Sequence, residues 1–503
     1  MSSRIEAFRA CQRSMGLYSR HITGTPLHPY QSEWADYILA VVDERRNETV
    51  TVEMPRQSGK NETSAQLEVA LLSKYAKRGG DIVKCAPTWK PQIVNSKLRF
   101  DNRSKQAARR LPFLRFKSTQ GYIYQCDRAS LQFLSADPEA SVVGATASLL
   151  MEVDEAQDID KQKFNRDFSP MRASTAAPLI AYGTTWTDDT LLEEFKQGIQ
   201  EGRTKGRVFR VLPETVAEAN PAYGEFVESE VQRMGRQHPL IKTQYFLEPL
   251  AQAGRMLKAE QLRLMVGEHE RQDRRRREAQ IVAGLDFAGA DEVTGDLVSL
   301  GSGSERDNVA LTIGTPEWIR VAEGVIVPHI RILDRYEWTN LNPASLHTVL
   351  YDILWNRWRV DRVHCDATGV GSASTAFLAE ALNLGGIERV HGVVFDGAWK
   401  AHTQITFGYL ALINGARLKD YQPAGFDALR VAGQEAPPSH DTHQHAWWQR
   451  AHARLQGRAE QRVKSYVPES EGHDDLLRSE ELMVDAAHAL GVPRHQRPRS
   501  RAY

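Results

Sequence analysis

The stretch MPRQSGKNE, residues 54–62, ends in Gly-Lys at a junction between two different patterns. Before it, ETVTVEMP (48–55) reads as a buried β-branched strand; after it, NETSAQLEVALLSKYAKR (61–78) reads as a helix. A tight loop between a buried strand and a helix N-terminus gathers backbone N–H groups and the positive end of the helix dipole, which suits phosphate. Gly59 permits close backbone approach and Lys60 reaches the terminal phosphates, so Gln57, Ser58, Gly59, Lys60 and Asn61 form a candidate cradle for ATP. Both edges depart from G-x-x-x-x-G-K-[ST]: Met54 replaces the first glycine and Asn61 the closing hydroxyl. The magnesium ligand is therefore open between the Asn61 amide oxygen, Thr63 and Ser64. Arg56, three residues before Gly59, can bend onto the γ-phosphate.

A phosphate loop alone is weak evidence, and LLMEVDEAQ (149–157) supplies its complement. An apolar strand ends there in Asp154-Glu155. In P-loop ATPases such an Asp holds magnesium and the adjacent Glu activates water. YGTTW (182–186) ends the following strand, with a Thr-rich edge able to sense the γ-phosphate. LHPYQSEW (27–34) places Tyr30 and Gln31 before the first strand, as candidates to stack on and read adenine. Further strands at 81–87, 122–126 and 131–136 make this region α/β with a parallel-rich sheet.

The chain has 503 residues, more than one ordinary core holds, and implies two or three domains. Its 41% apolar and 25% charged residues fit a globular protein. Lys+Arg and Asp+Glu both number 64, so net charge does not announce a polyanionic partner, although a local basic surface remains compatible with one. Cys11, Cys85, Cys126 and Cys365 are scattered without a C-x-x-C pair, which argues against structural zinc and for reduced thiols. The N-terminus MSSRIEAFRACQRS lacks an apolar signal core, and no run of about 18 apolar residues exists, so a soluble, unsecreted chain without a membrane partner is expected.

A second α/β pattern follows a polar helical stretch that ends in the cluster Arg274–Arg277, read as a solvated boundary. Strands are expected at 279–289, 296–302, 308–315, 329–338 and 360–369, with helices at 342–358 and 474–490. IVAGLDFAG puts Asp286 at one strand end, RVHCDATGVG puts Asp366 at another, and EGHDDLLRSEELMVDAA opens a helix with His473, Asp474 and Asp475. Such acids converging at one sheet edge would bind two divalent metals about 4 Å apart for in-line phosphodiester hydrolysis. The strand-strand-strand-helix-strand order suits an RNase H-like fold.

Taken in order, RQSGKN, MEVDEAQ, GTT, GLDFAG, HCDATGVG and GHDDLLRSEELMVDAA resemble the large terminase subunit of tailed bacteriophages, to about residue 490. The resemblance implies an ASCE-type P-loop ATPase domain over 1–214, a helical linker subdomain over 215–278, an RNase H-like nuclease domain over 279–490 and a flexible basic tail over 491–503. It implies that Lys60 and Arg56 are the Walker A lysine and cis-acting arginine, Asp154 and Glu155 the Walker B acid and catalytic glutamate, and Thr184 and Thr185 the coupling motif. Tyr30 and Gln31 fall in the adenine motif. Asp286, Asp366 and Asp475 would hold two Mg2+ or Mn2+ ions, with Asp474 the alternative third acid.

The implied activity is ATP-driven translocation of double-stranded DNA into a procapsid and endonucleolytic cutting of the concatemer. The implied partners are the portal protein, a small terminase subunit and further copies in a ring, a pentamer being the expected count. The implied location is the cytoplasm of an infected bacterium and, transiently, the procapsid portal, outside the mature virion. No trans-acting arginine can be assigned, with Arg103, Arg109, Arg110 and Arg128 as candidates; Arg362, Lys400, Arg450 and Arg454 are candidates for phosphate contacts with DNA. A helicase or translocase with a silent C-terminal domain, and an adaptor with a dead phosphate loop, are the rival readings.

Overall fold

The computed structural model describes residues 2–493 except 143, 251–254, 278, 288–308, 323–324, 340–341, 370, 396, 398, 435, 439–440, 459–461 and 469–470. The strand expected over 296–302 and the tail from 494 lie outside the described residues. The chain divides into two compact units, one of residues 1–236, 240–250 and 458–461, the other of 237–239, 251–457 and 462–503. The segment 215–278 is shared between them: the helix Pro221–Met234 falls in the first and the helix Ala259–Met265 in the second.

The first unit is built on β1 (Thr49–Glu53), β2 (Gly80–Ala86), β3 (Phe116–Thr119), β4 (Ile123–Cys126), β5 (Ala129–Ser135), β6 (Leu150–Val153), β7 (Leu179–Gly183) and β8 (Gly206–Arg210). Their order is β3-β4-β5-β2-β6-β7-β1-β8. β3, β4 and β5 form an antiparallel meander at one edge, and β5 onward is parallel. All five residues of β1 are buried, as expected where helices cover both faces of a parallel sheet. Trp34, Leu67, Leu71, Phe100 and Phe133 belong to the core of one face; Met151, Val153, Phe164, Phe168 and Leu191 belong to that of the other. β7 stands between β1, which leads into the loop 54–59, and β6, after which Asp154-Glu155 follow, the strand order expected of an ASCE-type fold.

The second unit has β9 (Val282–Asp286), β10 (Val309–Ala322), β11 (Val325–Trp338), β12 (Arg362–Asp366), β13 (Val390–Val393) and β14 (Leu418–Asp420), in the order β13-β12-β9-β10-β11-β14. β9, β10 and β11 run antiparallel in succession, and β12 and β13 join β9 in parallel on its other side. That is the RNase H-like arrangement. β10 and β11 are each 14 residues long, well beyond the segments expected from sequence. Their outer halves contain Pro316 and Pro328, which read as strand breakers but here pair with Ile330 and Trp318. A short hairpin of β15 (Arg454–Arg458) and β16 (Arg462–Tyr466) completes the strands. Among the described residues, no helix is long and apolar enough to cross a membrane.

One glycine decides how this unit closes. A Cβ at Gly284 would sit 1.9 Å from the Ser479 carbonyl oxygen and 2.2 Å from the Met483 amide nitrogen. The helix Asp475–Leu490 therefore lies directly on β9, and its first residue comes up beside the strand's last. Gly284→Ala should destabilise this unit by about 1–3 kcal/mol through overpacking and reduce any activity of its acids, with the first unit's melting unchanged. A wild-type melting profile for Gly284→Ala would refute this account of the packing.

Candidate functional site

In the first unit the residues around the phosphate loop take unusual backbone. Gln57, Gly59 and Glu155 have φ of 62°, 90° and 49°. The left-handed region costs a non-glycine residue about 1–2 kcal/mol, and such strain gathers at functional sites. A Cβ at Gly59 would also meet Gln31 Nε2 at 2.1 Å. Lys60 Nζ lies 2.8 Å from Glu155 Oε1, which joins the loop after β1 to the turn after β6. Burial pushes the Glu155 carboxyl up, but the Lys60 charge, the Gln157 amide and Arg56 outweigh it and hold the group below the ordinary carboxylate range.

Arg56, Gln57, Gly59, Lys60 and Glu155 line a cleft of about 890 Å3 that also includes Asn61, Asp154, Thr184 and Gln244. Three buried polar atoms in that set have no hydrogen-bond partner: Asn61 Oδ1, Thr184 Oγ1 and Gln244 Nε2. Buried unpaired polar atoms cost free energy unless a ligand or water meets them. Asn61 Oδ1 and the Asp154 carboxylate are hard oxygen donors, so the set fits a magnesium ion. The alternative donors face elsewhere. Thr63 Oγ1 donates to the Gly59 carbonyl, 3.1 Å away, and Ser64 Oγ donates to Glu152 at 2.8 Å.

Ser64 belongs to a desolvated network beneath the loop. Lys84 Nζ donates to Glu68 Oε1 and to Ser64 Oγ, both at 2.7 Å, and lies 3.8 Å from Glu152 Oε2. Burial and the neighbouring Glu68 charge push the Glu152 carboxyl up to about 8.

At one place the structure engages the flanking residues otherwise than expected. Tyr30 and Gln31, expected to meet adenine, are buried behind the loop, and each donates to the Ser58 carbonyl, at 2.9 and 3.0 Å. They brace the cradle; their aromatic and amide groups are already engaged. Thr185 Oγ1 donates to Glu53 Oε1 at 2.5 Å and to the Leu247 carbonyl at 3.0 Å, and the Thr184 amide donates to Gln157 Oε1 at 3.3 Å. Among the arginine candidates, Arg103 pairs with Glu62 at 2.5 Å and Arg110 donates to the His21 carbonyl at 2.6 Å, while Arg109 and Arg128 are exposed. Arg99 and Gln244 line the cleft, and the sequence reading assigned neither.

In the second unit, β9 and β12 run side by side with Cys365 opposite Leu285, which brings Asp366 next to Asp286. Asp475 opens the helix that crosses β9, with Asp474 just before it. Burial, then the charges of Asp475, Asp366 and Asp474, push the Asp286 carboxyl well above its usual range, with Arg478 acting the other way. Asp286 thus feels the charges of the other three acids. Among the described residues, no three such side chains gather tightly around one point. Mutually repelling carboxylates at one sheet edge fit divalent cations in their donor chemistry.

Arg450, expected to touch DNA, is instead fully buried. Its guanidinium meets Asp420 and Glu480, each at 2.6 Å, and Arg335 meets the same two acids at 2.6 and 2.9 Å. Arg454 pairs with Glu471.

No family model matches the chain, and no curated protein does. Among solved structures it is similar to the HK97 bacteriophage large terminase, with 12% identity, 92% of this chain and 96% of that one covered, and a TM-score of 0.38. It is similar to the large terminase of the thermophilic bacteriophage D6E in complex with ATP-gamma-S, with 11% identity, 92% and 100% coverage and a TM-score of 0.40. The large terminase nuclease from thermophilic phage G20c with bound magnesium matches 45% of this chain and 94% of its own, with 14% identity and a TM-score of 0.28.

The Lys60–Glu155 pair has a direct consequence for titration. In Lys60→Met the largest stabiliser of ionised Glu155 is gone and burial acts with less opposition, so the Glu155 carboxyl should titrate at a higher pH than in the wild type. Carbon-13 NMR of labelled glutamate side chains would follow it; an unchanged titration would mean that the pair does not set the charge of Glu155.

Proposed function

We propose that the chain is a viral DNA-packaging motor subunit of the large-terminase kind, with ATP hydrolysis in the first unit and metal-dependent DNA cutting in the second. The observation that carries this reading is the Lys60–Glu155 pair in a cleft that also presents Asn61, Asp154 and Thr184.

Lys60, offered a phosphate, exchanges its carboxylate partner for phosphate oxygens. Glu155 then loses the cation that lowers its pKa and becomes a stronger base at its Oε atoms, next to the γ-phosphate. Activation of water is thus tied to occupancy of the cradle. A bound magnesium ion would neutralise phosphate charge, with Asn61 and Asp154 as its protein ligands. Thr185 links this event outward, because its hydroxyl bonds Glu53 at the end of β1 and the Leu247 carbonyl in the segment beyond β8. Motion of that segment on hydrolysis is the proposed origin of translocation.

In the second unit, Asp286, Asp366 and Asp475, with Asp474 as the alternative, would hold two Mg2+ or Mn2+ ions that activate water and stabilise the leaving oxygen. The proposed substrate is double-stranded DNA, gripped through its phosphates without regard to sequence. The proposed partners are the portal protein, a small terminase subunit and further copies of the chain in a ring, in the cytoplasm of an infected bacterium.

Lys60→Ala or Glu155→Ala should lower ATP turnover by about 10^2-fold or more and leave Mn2+-dependent plasmid cutting within about twofold. Asp286→Ala should do the reverse, and EDTA should stop cutting by the wild type. Plasmid cleavage at the wild-type rate by Asp286→Ala would remove the nuclease half; ATP turnover with no cutting by the wild type would favour the helicase-type rival.

A further inference from the structure

Gln244 stands at the end of the helix Pro239–Gln244, far from the loop in sequence, yet it grips the loop twice. Its carbonyl accepts the Arg56 amide at 2.7 Å, and its side-chain Oε1 accepts from Arg56 Nη1 at 3.4 Å. The residue is 2% exposed, lines the nucleotide cleft, and has an Nε2 with no partner. The orientation of the amide follows from its neighbour. A guanidinium is only a donor, so the oxygen must face Arg56 and the NH2 is left over.

An NH2 that faces neither water nor a protein acceptor carries a desolvation cost. A phosphate oxygen entering beside Arg56 would relieve it, and an amide, unlike an acid or a histidine, donates at any pH. The guanidinium needs help of this kind. Free to rotate, Arg56 would lose side-chain entropy on reaching a phosphate; held by an acceptor on one edge, it has less to lose. Because the same residue bonds the Arg56 backbone, movement of the arginine is passed to the segment that carries Leu247.

We propose that Gln244 is a positioning and phosphate-contacting residue: its Oε1 orients Arg56 and its Nε2 donates to the terminal phosphate of a bound nucleoside triphosphate. This rests on the reading of the cleft as a nucleotide site and assigns a specificity role within it. A diphosphate lacks the group that both Arg56 and Gln244 address, so Gln244 discriminates triphosphate from diphosphate.

The test is titration calorimetry of ATPγS and of ADP, each with Mg2+, into full-length wild type, Gln244→Leu and Gln244→Glu, with melting temperatures alongside. Gln244→Leu keeps the volume and removes both polar atoms; it should weaken ATPγS about tenfold and leave ADP within about twofold. Gln244→Glu keeps an acceptor for Arg56 but cannot donate and adds negative charge; it should lose at least as much for ATPγS. An unchanged ratio of ATPγS to ADP affinity in Gln244→Leu overturns the proposal, and that is the result a purely structural role would give, since both nucleotides would weaken together. Wild-type ATPγS affinity in Gln244→Glu also overturns it. A wild type that binds neither nucleotide brings down the nucleotide reading itself, an outcome distinct from the other two.

Discussion

The buried Lys84 ammonium fixes where the cleft residues of the first unit sit. It lies at 1% exposure between three elements: its own strand β2, the helix after the phosphate loop through Ser64 and Glu68, and β6 through Glu152. Asp154 and Glu155 follow Glu152 immediately, and Lys60 begins the helix that carries Ser64 and Glu68. The Lys84 network therefore sets the offset between loop and strand that lets Lys60 reach Glu155. Two carboxylates around one ammonium would leave a surplus negative charge in the core. Burial raises both Glu68 and Glu152, which eases that surplus, and the Lys84 charge opposes the rise in each. Buried ion pairs add little net stability over apolar packing, but loss of one partner costs about 3–5 kcal/mol. The network is better understood as a device for register than as a source of stability.

The second unit meets the same demand with two cations and two anions. Arg335 on β11 and Arg450 on the helix Thr442–His452 share Asp420 on β14 and Glu480 on the final helix. All four side chains are fully buried, and Glu480 Oε2 accepts from both Arg450 Nε at 2.8 Å and the Tyr409 hydroxyl at 2.9 Å. Glu480 lies little more than one turn from Asp475, so the network holds the helix that delivers an acid to the end of β9. Gly284 allows that helix to settle close enough for the delivery to matter. The candidate site acids and the structural acids thus share a helix; two arginines match Asp420 and Glu480, whereas Arg478 alone, 3.7 Å from Asp474, is the arginine acting on Asp286 among three other carboxylates.

What the sequence revealed follows from where the information lies. The loop 54–62, its strand and its helix are contiguous, and so are MEVDEAQ and GTT, so local pattern sufficed to single out Lys60, Asp154, Glu155 and Thr184, which the structure gathers at one cleft. Asp286, Asp366 and Asp475 were legible because acids at apolar strand ends and helix starts stand out. Arg450 was misread because whether an arginine is a surface charge or a core ion is decided by partners on other elements, here Asp420 and Glu480. Gln244 was invisible for the same reason: its segment reads as an ordinary polar helix, and its contact with Arg56 spans 188 positions. Tyr30 and Gln31 were read as facing adenine and instead bond the Ser58 carbonyl, since a residue type cannot say whether a side chain faces ligand or backbone.

The two sites pose opposite electrostatic problems, and this bears on how each would be controlled. In the first, a carboxylate already has its cation, and the pair must be parted before Glu155 can act as a base. On the proposed function, an anion that competes for Lys60 would do that, and nucleotide itself would be the trigger. In the second, Asp286 is surrounded by carboxylates with Arg478 the nearby opposing charge, and what is needed is added positive charge. Metal supplies it and phosphate cannot. On the proposed function, one site would be gated by an anion and the other by a cation, so the first could run continuously while the second waits on a separate condition, as a motor that moves DNA at length and cuts it rarely would require.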